Sequence, residues 1–183
     1  MSKKKIDKVL VLRTCAPDMT AHGGFKWPTS GKVSAPDWQD DGECGHGLHG
    51  LLLGEGDGAL LNWDEHAKWL VVEVNKADIR ELNWKVKFPE GKVVFCGDRL
   101  GATSYLAERS SGHAVVGGTA TAGDAGTATA GYEGTATAGY RGILNIRWWD
   151  GKRYRIATFY VGEDGIEPNI PYCCEDGKAV KKV

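Results

Sequence analysis

Alternating apolar and polar positions predict strands through most of the chain. Residues 68–74 (KWLVVEV) form an apolar run of strand length, which predicts a buried strand. In residues 83–88, Trp84, Val86 and Phe88 alternate with two lysines, a pattern typical of a strand with one solvent-exposed face. Similar patterns predict further strands at residues 6–14, 48–53, 92–96, 143–149 and 153–161.

Turn residues and helix formers predict how these strands are connected. Asp150 and Gly151 separate two β-rich runs, and such a pair is a strong hairpin signal. Pro89 to Gly91 predict a second hairpin that joins residues 83–88 to residues 92–96. A two-turn helix is predicted at residues 103–110, where a threonine cap precedes good helix formers.

The sequence TATAG occurs three times at a step of eight residues, within residues 119–139. Strict alternation of threonine and alanine fits the period of a β-strand, so one face carries the threonines and the other the alanines. We expect the alanines to face inward and the threonines outward. Small interior side chains and glycine corners favour a narrow β-solenoid, whose stacked rungs bury a face that one rung cannot bury alone.

These octads resemble the repeats of bacterial ice-nucleation proteins, in which two octapeptides form a sixteen-residue coil with Thr-x-Thr rows and a tyrosine ladder. Tyr132 and Tyr140 occupy matching octad positions, and Asp124 replaces the first tyrosine. With two octads per coil, the repeat supplies about two rungs per face, near the lower limit for a solenoid. An ice-binding surface is therefore the third of the functions that we consider.

Together, these patterns predict a β-rich protein with two parts. Residues 1–111 are expected to form an α+β domain of mostly antiparallel strands. Residues 112–183 are expected to form a short β-solenoid, with the repeat at 119–139, that ends in a C-terminal β-hairpin cap and a tail.

Composition and charge narrow the range of partners and locations. The net charge is −1 and the isoelectric point is near 6.5, so the whole chain lacks the basic footprint of a nucleic-acid-binding protein. The basic residues near the N-terminus precede no long apolar stretch, so we expect no signal peptide and no membrane partner. Five cysteines, an odd number in no regular framework, favour a cytoplasmic location.

A long loop at residues 15–47 carries the candidate chemistry, since a loop of this length in a compact domain is usually functional. Phe25 and Trp27 are expected to anchor it. Cys44, His46 and His49 form a C-x-H-x-x-H motif that could ligate zinc. Structural zinc sites usually pair two such knuckles and only one is present, so we expect no metal and keep this set as the alternative.

The order of elements in the first part resembles that of ADP-ribosyltransferase-like domains. A strand that ends at Arg13 is followed by Gly23-Gly24-Phe25, by the block CGHGLH at residues 44–49, and by V-x-V-x-x-x-D-I at residues 72–79. The block CGHGLHG is also similar to a segment of uncharacterised bacteriophage and prophage domains.

The resemblance to ADP-ribosyltransferases implies roles for individual residues. Arg13 would bind the pyrophosphate or a ribose of NAD through its guanidinium, and His49 would face the nicotinamide ribose. By position, Glu73 and Glu108 are the candidates for the catalytic carboxylate, although neither lies in a Glu-x-Glu motif.

Two functional hypotheses follow. The first is a cofactor-free binding or interaction protein of phage or mobile-element type. Its pocket would be formed by Arg13, His49, Phe25 and Trp27, it would contact another protein, and it would form a homodimer in which Tyr132 and Tyr140 stack across a two-fold axis. The alternative is an NAD-using enzyme. We favour the first hypothesis, because it requires no residue that the sequence lacks.

Overall fold

The computed structural model describes residues 7–110 and 112–182. The chain forms two compact units, Met1–Ser110 and Ser111–Val183. Among the residues described, the first contains one α-helix and seven strands: Lys8–Cys15 (β1), Gly31–Ser34 (β2), Leu48–Leu52 (β3), Lys68–Asn75 (β4), Arg80–Leu82 (β5), Lys85–Phe88 (β6), Glu90–Gly97 (β7) and Arg99–Arg109 (α1). The second contains Thr119–Ala122 (β8), Thr127–Ala130 (β9), Thr135–Ala138 (β10), Ile143–Trp149 (β11), Tyr154–Tyr160 (β12), Tyr172–Glu175 (β13) and Lys178–Lys181 (β14).

The first unit is built on one antiparallel sheet with the strand order β2-β7-β4-β1-β3-β6-β5. At its centre, β1 and β4 pair along their whole lengths, from Lys8 opposite Asn75 to Cys15 opposite Lys68. Val11, Leu70 and Val72 lie in the main core on one face of the sheet, and full burial of each such side chain contributes about 1.5–3 kcal/mol. The predicted β-rich, mostly antiparallel architecture of this part is therefore confirmed.

Helix α1 packs on the other face of this sheet. Its N-cap Asp98 accepts a hydrogen bond of 2.8 Å from the backbone N–H of Gly101, so the helix begins at Arg99 and not at Thr103. The ring of Tyr105 lies 5.7 Å from that of Phe95 on β7. Among the described residues, no helix has the length and apolarity needed to cross a bilayer.

The predicted hairpin between residues 83–88 and 92–96 is wrong. Strand β6 pairs with β3 and β5, whereas β7 pairs with β4 and β2. Only Pro89 separates β6 from β7, which is too short a connection for the chain to reverse. The long loop also contains an edge strand, β2, that its sequence did not reveal because Val33 is its one buried residue.

Two parallel strand pairs organise the second unit. Strand β8 pairs with β10, with Thr119 opposite Thr135, and β9 pairs with β11, with Thr127 opposite Ile143. In both pairs the register step is sixteen residues, or two octads. Each octad turns at a residue with a left-handed backbone, whose φ is 53° at Ala125, 55° at Glu133 and 57° at Arg141.

Alanines form the interior of the second unit, as predicted. Ala128 and Ala130 on β9, and Ala136 and Ala138 on β10, are buried, while Thr127 and Thr129 are exposed. The predicted Asp150 hairpin is confirmed, because β11 and β12 pair antiparallel from Ile143 to Trp149, although residues 150–153 form a four-residue connection. Larger side chains complete this core: Leu144, Ile146, Val161, Ile166 and Tyr172.

Candidate functional site

The guanidinium of Arg13 lies at the centre of the candidate site, near the end of β1. It stacks over the ring of Trp27 at 4.1 Å, measured from Cζ to the ring centroid. Its Nη1 donates to the carbonyl of His49 at 3.2 Å, and its Nε and Nη2 donate to the carbonyl of Thr14, each at 3.3 Å. Burial lowers the pKa of Arg13, and a nearby Cys15 opposes this shift. An arginine keeps its charge even so, and no carboxylate among the described residues pairs with it.

A cleft of about 380 Å³ opens beside this guanidinium. All four residues that the sequence analysis assigned to ligand binding line it: Arg13, Phe25, Trp27 and His49. The rings of Phe25 and Trp27 meet edge to face at 5.7 Å, which supports a rigid aromatic wall. The structure thus brings the four side chains together, and ligand binding by them stays a prediction.

A second cleft, of about 680 Å³, shares Arg13 and His49 with the first. Its remaining wall is largely apolar and includes Leu51, Leu60 and Leu61. The side chain of Leu60 is 50% exposed, so this wall is open to solvent. Arg13 therefore lies where two largely apolar clefts meet and supplies a positive charge to both, an arrangement that suits an organic anion.

His49 is uncharged at neutral pH. Burial is the main cause, and the charges of Lys85, Arg13 and Lys87 add to it, so that the pKa of His49 is lowered to about 4. Its Nε2 is buried and has no hydrogen-bond partner among the described residues. The positive charge beside the clefts therefore comes from arginine and lysine and not from this histidine.

Residues 37–47 cover the face of β6 that the sequence pattern assigned to solvent. Lys87 is fully buried, forms an ion pair with Asp41 and lies 5.5 Å from the ring of Trp38. Its hydrogen bond lowers the pKa of Asp41. Beside it, Arg80 forms two hydrogen bonds with Asp40, at 2.5 and 2.9 Å. The prediction that this face is solvent-exposed is therefore wrong at Lys87, because alternation along a strand does not reveal a loop that folds over it.

The alternative metal set does not come together. Cys44 contacts Nζ of Lys85 at 3.0 Å, and Nδ1 of His46 lies 3.5 Å from Oδ2 of Asp37. No group of three or more His, Cys, Asp or Glu within residues 7–110 and 112–182 is arranged to hold a metal ion.

Both candidate catalytic glutamates lie away from the clefts. In β4, Leu70 is opposite Arg13 and shares its face of the sheet, so Glu73, three residues further on, points to the other face. There it lines a separate charged groove of about 530 Å³. Glu108 is on α1, which packs on that same other face, and it pairs with Arg109 at 2.9 Å.

Asp37 is the carboxylate that lines the first cleft, and the sequence analysis assigned it no role. It stands among several acidic residues of the long loop, so only its position in space distinguishes it from them.

The two tyrosines of the predicted dimer interface lie in different environments. The ring of Tyr132 contacts that of Tyr154 edge to face at 5.4 Å, and Tyr154 contacts Trp149 at 5.0 Å. Tyr140 is 66% exposed, and its backbone N–H donates to Oδ1 of Asp124 at 2.8 Å. Tyr132 thus packs against its own chain, and a stack of both tyrosines across a two-fold axis stays a prediction.

These features define a β-rich protein whose larger unit is an antiparallel sheet with an arginine-centred cleft. The chain belongs to the family described as Domain of unknown function (DUF7666), whose model matches residues 9–108. No solved structure is significantly similar to the chain.

Curated relatives of the chain carry the name "Ice nucleation protein". The chain is 44% identical over 108 residues to one from Pseudomonas syringae, a match that covers 58% of this chain and 9% of the relative. The chain is 43% identical over 111 residues to a second one, from Pseudomonas fluorescens, and this match covers 60% of the chain and 9% of the relative. The chain is 40% identical over 104 residues to a third, from Xanthomonas campestris pv. translucens, and this match covers 56% of the chain and 7% of the relative.

The chain thus spans less than a tenth of the length of these relatives. The resemblance to ice-nucleation proteins is confirmed. The matches give no support to the resemblance to ADP-ribosyltransferases or to phage domains.

Proposed function

We propose that this chain is a binding protein and that its first unit holds a small organic anion in the Arg13 cleft. The observation that supports this is a stacked guanidinium whose hydrogen bonds go to backbone carbonyls and whose charge no carboxylate of the described residues balances. The nearby Lys87 already pairs with Asp41. A carboxylate or phosphate would supply the missing negative charge, and its oxygens would accept hydrogen bonds from the remaining N–H groups of Arg13.

The alternative, an NAD-using enzyme, is favoured less. ADP-ribosyl transfer of the kind implied by the resemblance requires a carboxylate beside the bound cofactor, and Glu73 and Glu108 lie on the opposite face of the sheet. Asp37 lines the cleft but belongs to no motif of that family. NAD is therefore one of the test ligands and not the assigned cofactor.

Arg13→Gln is expected to weaken anion binding by about 10-fold to 150-fold, because charged hydrogen bonds contribute about 1.5–3 kcal/mol each. The measurement is calorimetric titration of pyrophosphate, ADP-ribose and NAD into the wild type and the variant. Thermal unfolding of both proteins checks that the variant folds.

Arg109→Gln is the matched control, since Arg109 also stacks on an aromatic ring, that of Tyr105 at 3.8 Å, but lies on α1 away from the clefts. It should bind every ligand as the wild type does. Equal affinity of a folded Arg13→Gln variant, or no binding by the wild type, would contradict the anion site.

A second candidate function is self-association. We propose that the second unit is a short β-solenoid, capped by the β11–β12 hairpin and open at β8, and that the open end pairs with a second copy. Strand β8 ends its sheet, and Ala120 and Ala122 are only partly buried, whereas Ala136 and Ala138 are at most 1% exposed. Unpaired edges of this kind readily accept another strand, so we place the homodimer contact here and not at the two tyrosines.

Thr121→Pro is expected to convert a dimer into a monomer. The carbonyls of Gly118 and Ala122 accept hydrogen bonds from the N–H groups of Thr135 and Gly139. The N–H groups of Thr119 and Thr121 therefore point outward in a parallel ladder. Proline at position 121 removes an outward donor and leaves the internal pairing intact. Light scattering measures the mass, and Thr121→Ala, which keeps the N–H, should stay dimeric. A monomeric wild type, or a dimeric proline variant, would contradict dimerisation through the β8 edge.

The name of the relatives raises ice binding as a third function, and we favour it least. Thr119 and Thr121 stack beside Thr135 and Thr137, which makes two rungs about 4.8 Å apart. On the other face, the row continues from Thr127 and Thr129 into Ile143 and Asn145. Rows of two rungs offer little surface to order water.

A further inference from the structure

We infer that the β11–β12 hairpin binds single-stranded nucleic acid on its outer face. Leu144 and Ile146 of β11 point into the core, so the alternate residues point outward. Strand pairing then sets four cross-strand pairs on this outer face: Ile143 with Tyr160, Asn145 with Thr158, Arg147 with Ile156, and Trp149 with Tyr154.

Apolar and aromatic side chains are exposed along this face. Ile156 is 64% exposed, Tyr160 is 50% exposed and Trp149 is 45% exposed. At the hairpin tip, Trp149 and Tyr154 are joined by Tyr132 in a chain of ring contacts at 5.0 and 5.4 Å. Contiguous exposed groups of this kind usually mark an interaction site, and rings on an open sheet are surfaces on which nucleic-acid bases stack.

The local charge is strongly positive, although the whole chain carries −1. Residues 140–160 contain Arg141, Arg147, Lys152, Arg153 and Arg155 against one carboxylate, Asp150. Asp150 is held by Arg155 and by the backbone N–H groups of Lys152 and Arg153. The hairpin therefore carries an excess of positive charge that can attract an anionic partner. The net charge of the whole chain does not reveal this local excess.

These cations are distributed along the ring-bearing face. Arg147 projects from its middle, and Lys152 and Arg153 are exposed at the hairpin tip beside Trp149 and Tyr154. Glu163 and Asp164 follow Tyr160 in the turn beyond β12, so the tip is the more positive end.

A single strand satisfies both features of this face. Its phosphates pair with arginine and lysine, and its unpaired bases stack on tyrosine and tryptophan. Duplex DNA would present only phosphates to this flat sheet, and an anionic polymer without bases would leave the rings unused. The combination of rings and cations therefore favours an unpaired strand.

The test is fluorescence anisotropy of a labelled twelve-residue oligothymidylate titrated with the full chain. Trp149→Leu and Tyr160→Leu remove a ring and keep an apolar strand residue, so each should weaken binding at least about fivefold. Arg147→Gln should also weaken it. With Arg141, Arg147, Lys152 and Arg153 as the available cations, the slope of log affinity against log salt should be no steeper than about −3.

Trp84→Leu is the matched control for ring removal, because Trp84 is 65% exposed and lies in the first unit; it should bind as the wild type does. Polyphosphate competition separates bases from charge. If Trp149→Leu and Tyr160→Leu bind as tightly as the wild type, or if polyphosphate competes as well as the unlabelled oligonucleotide does, the face recognises charge alone and the inference is wrong. Absence of binding by the wild type also overturns it.

Discussion

Gly50→Ala is expected to lower the free energy of unfolding of the first unit by about 3 kcal/mol. A Cβ atom at Gly50 would lie 2.4 Å from Cγ1 of Val11 and 2.6 Å from the carbonyl oxygen of Leu12. The carbonyl belongs to the backbone of β1, so β3 would have to move away from it. Because His49 precedes Gly50 and its carbonyl accepts a hydrogen bond from Arg13, the same shift would open the candidate site.

Urea unfolding of the full chain measures this effect. Gly42→Ala is the control, since Gly42 lies in the long loop and a Cβ atom there would have no other atom within 4 Å; its stability should stay within about 0.5 kcal/mol of the wild type. If the two variants were equally stable, β1 and β3 would not approach each other as closely as the structure has them.

The second large effect is expected at the glycines that end the TATAG repeats. A Cβ atom at Gly131 would lie 2.5 Å from the carbonyl oxygen of Val115 and 2.6 Å from that of Ala114. At Gly139 it would lie 2.7 Å from the backbone nitrogen of Asp124. Alanine at either position should therefore destabilise the second unit by about 3 kcal/mol, because neighbouring backbone would have to move.

Gly123 is the matched control, since it ends the first TATAG and has no atom within 4 Å of a Cβ position. Gly123→Ala should be close to neutral. Hydrogen exchange of β9 and β10 amides in the full chain measures local stability in all three variants. In the monomer, a Gly123→Ala variant that lost as much protection as Gly131→Ala would indicate that another segment of the same chain covers the first octad, and the proposed open end at β8 would be wrong.

Local patterns predicted elements well where neighbours along the chain supply the main interaction. The apolar run at residues 68–74 became β4, and Asp150 with Gly151 marked the β11–β12 hairpin. In the octads, the alternation of threonine and alanine placed the alanines inside. Each of these depends on the period of a strand or on a turn, both of which a few consecutive residues determine.

The same reasoning failed where distant segments meet. Lys87 has the spacing of a solvent-facing residue, but residues 37–47 fold over it and supply Asp41 as its partner. Residues 83–88 and 92–96 look like a hairpin, but pairing with β3 and β4 draws them apart. Long-range strand pairing depends on which surfaces the whole chain leaves to be buried, and no short window contains that information.

For the candidate site, the order of motifs singled out Arg13 and His49, and the long loop added Phe25 and Trp27 as anchors. The structure gathers these four residues around one cleft. It separates Glu73 from them because a strand places alternate residues on opposite faces of the sheet, and it separates Glu108 from them because α1 packs on that other face. The role of Asp37 in lining the cleft is visible only in three dimensions.

By itself, the sequence determined the strand-rich character of the chain, the octad period and the inward alanines, since all three follow from local periodicity and small side chains. Only the tertiary structure decided which faces are covered, whether a described carboxylate pairs with Arg13 and where the sheets keep an open edge. Those properties depend on contacts between residues far apart in the chain, whose positions are set by burial of the shared core.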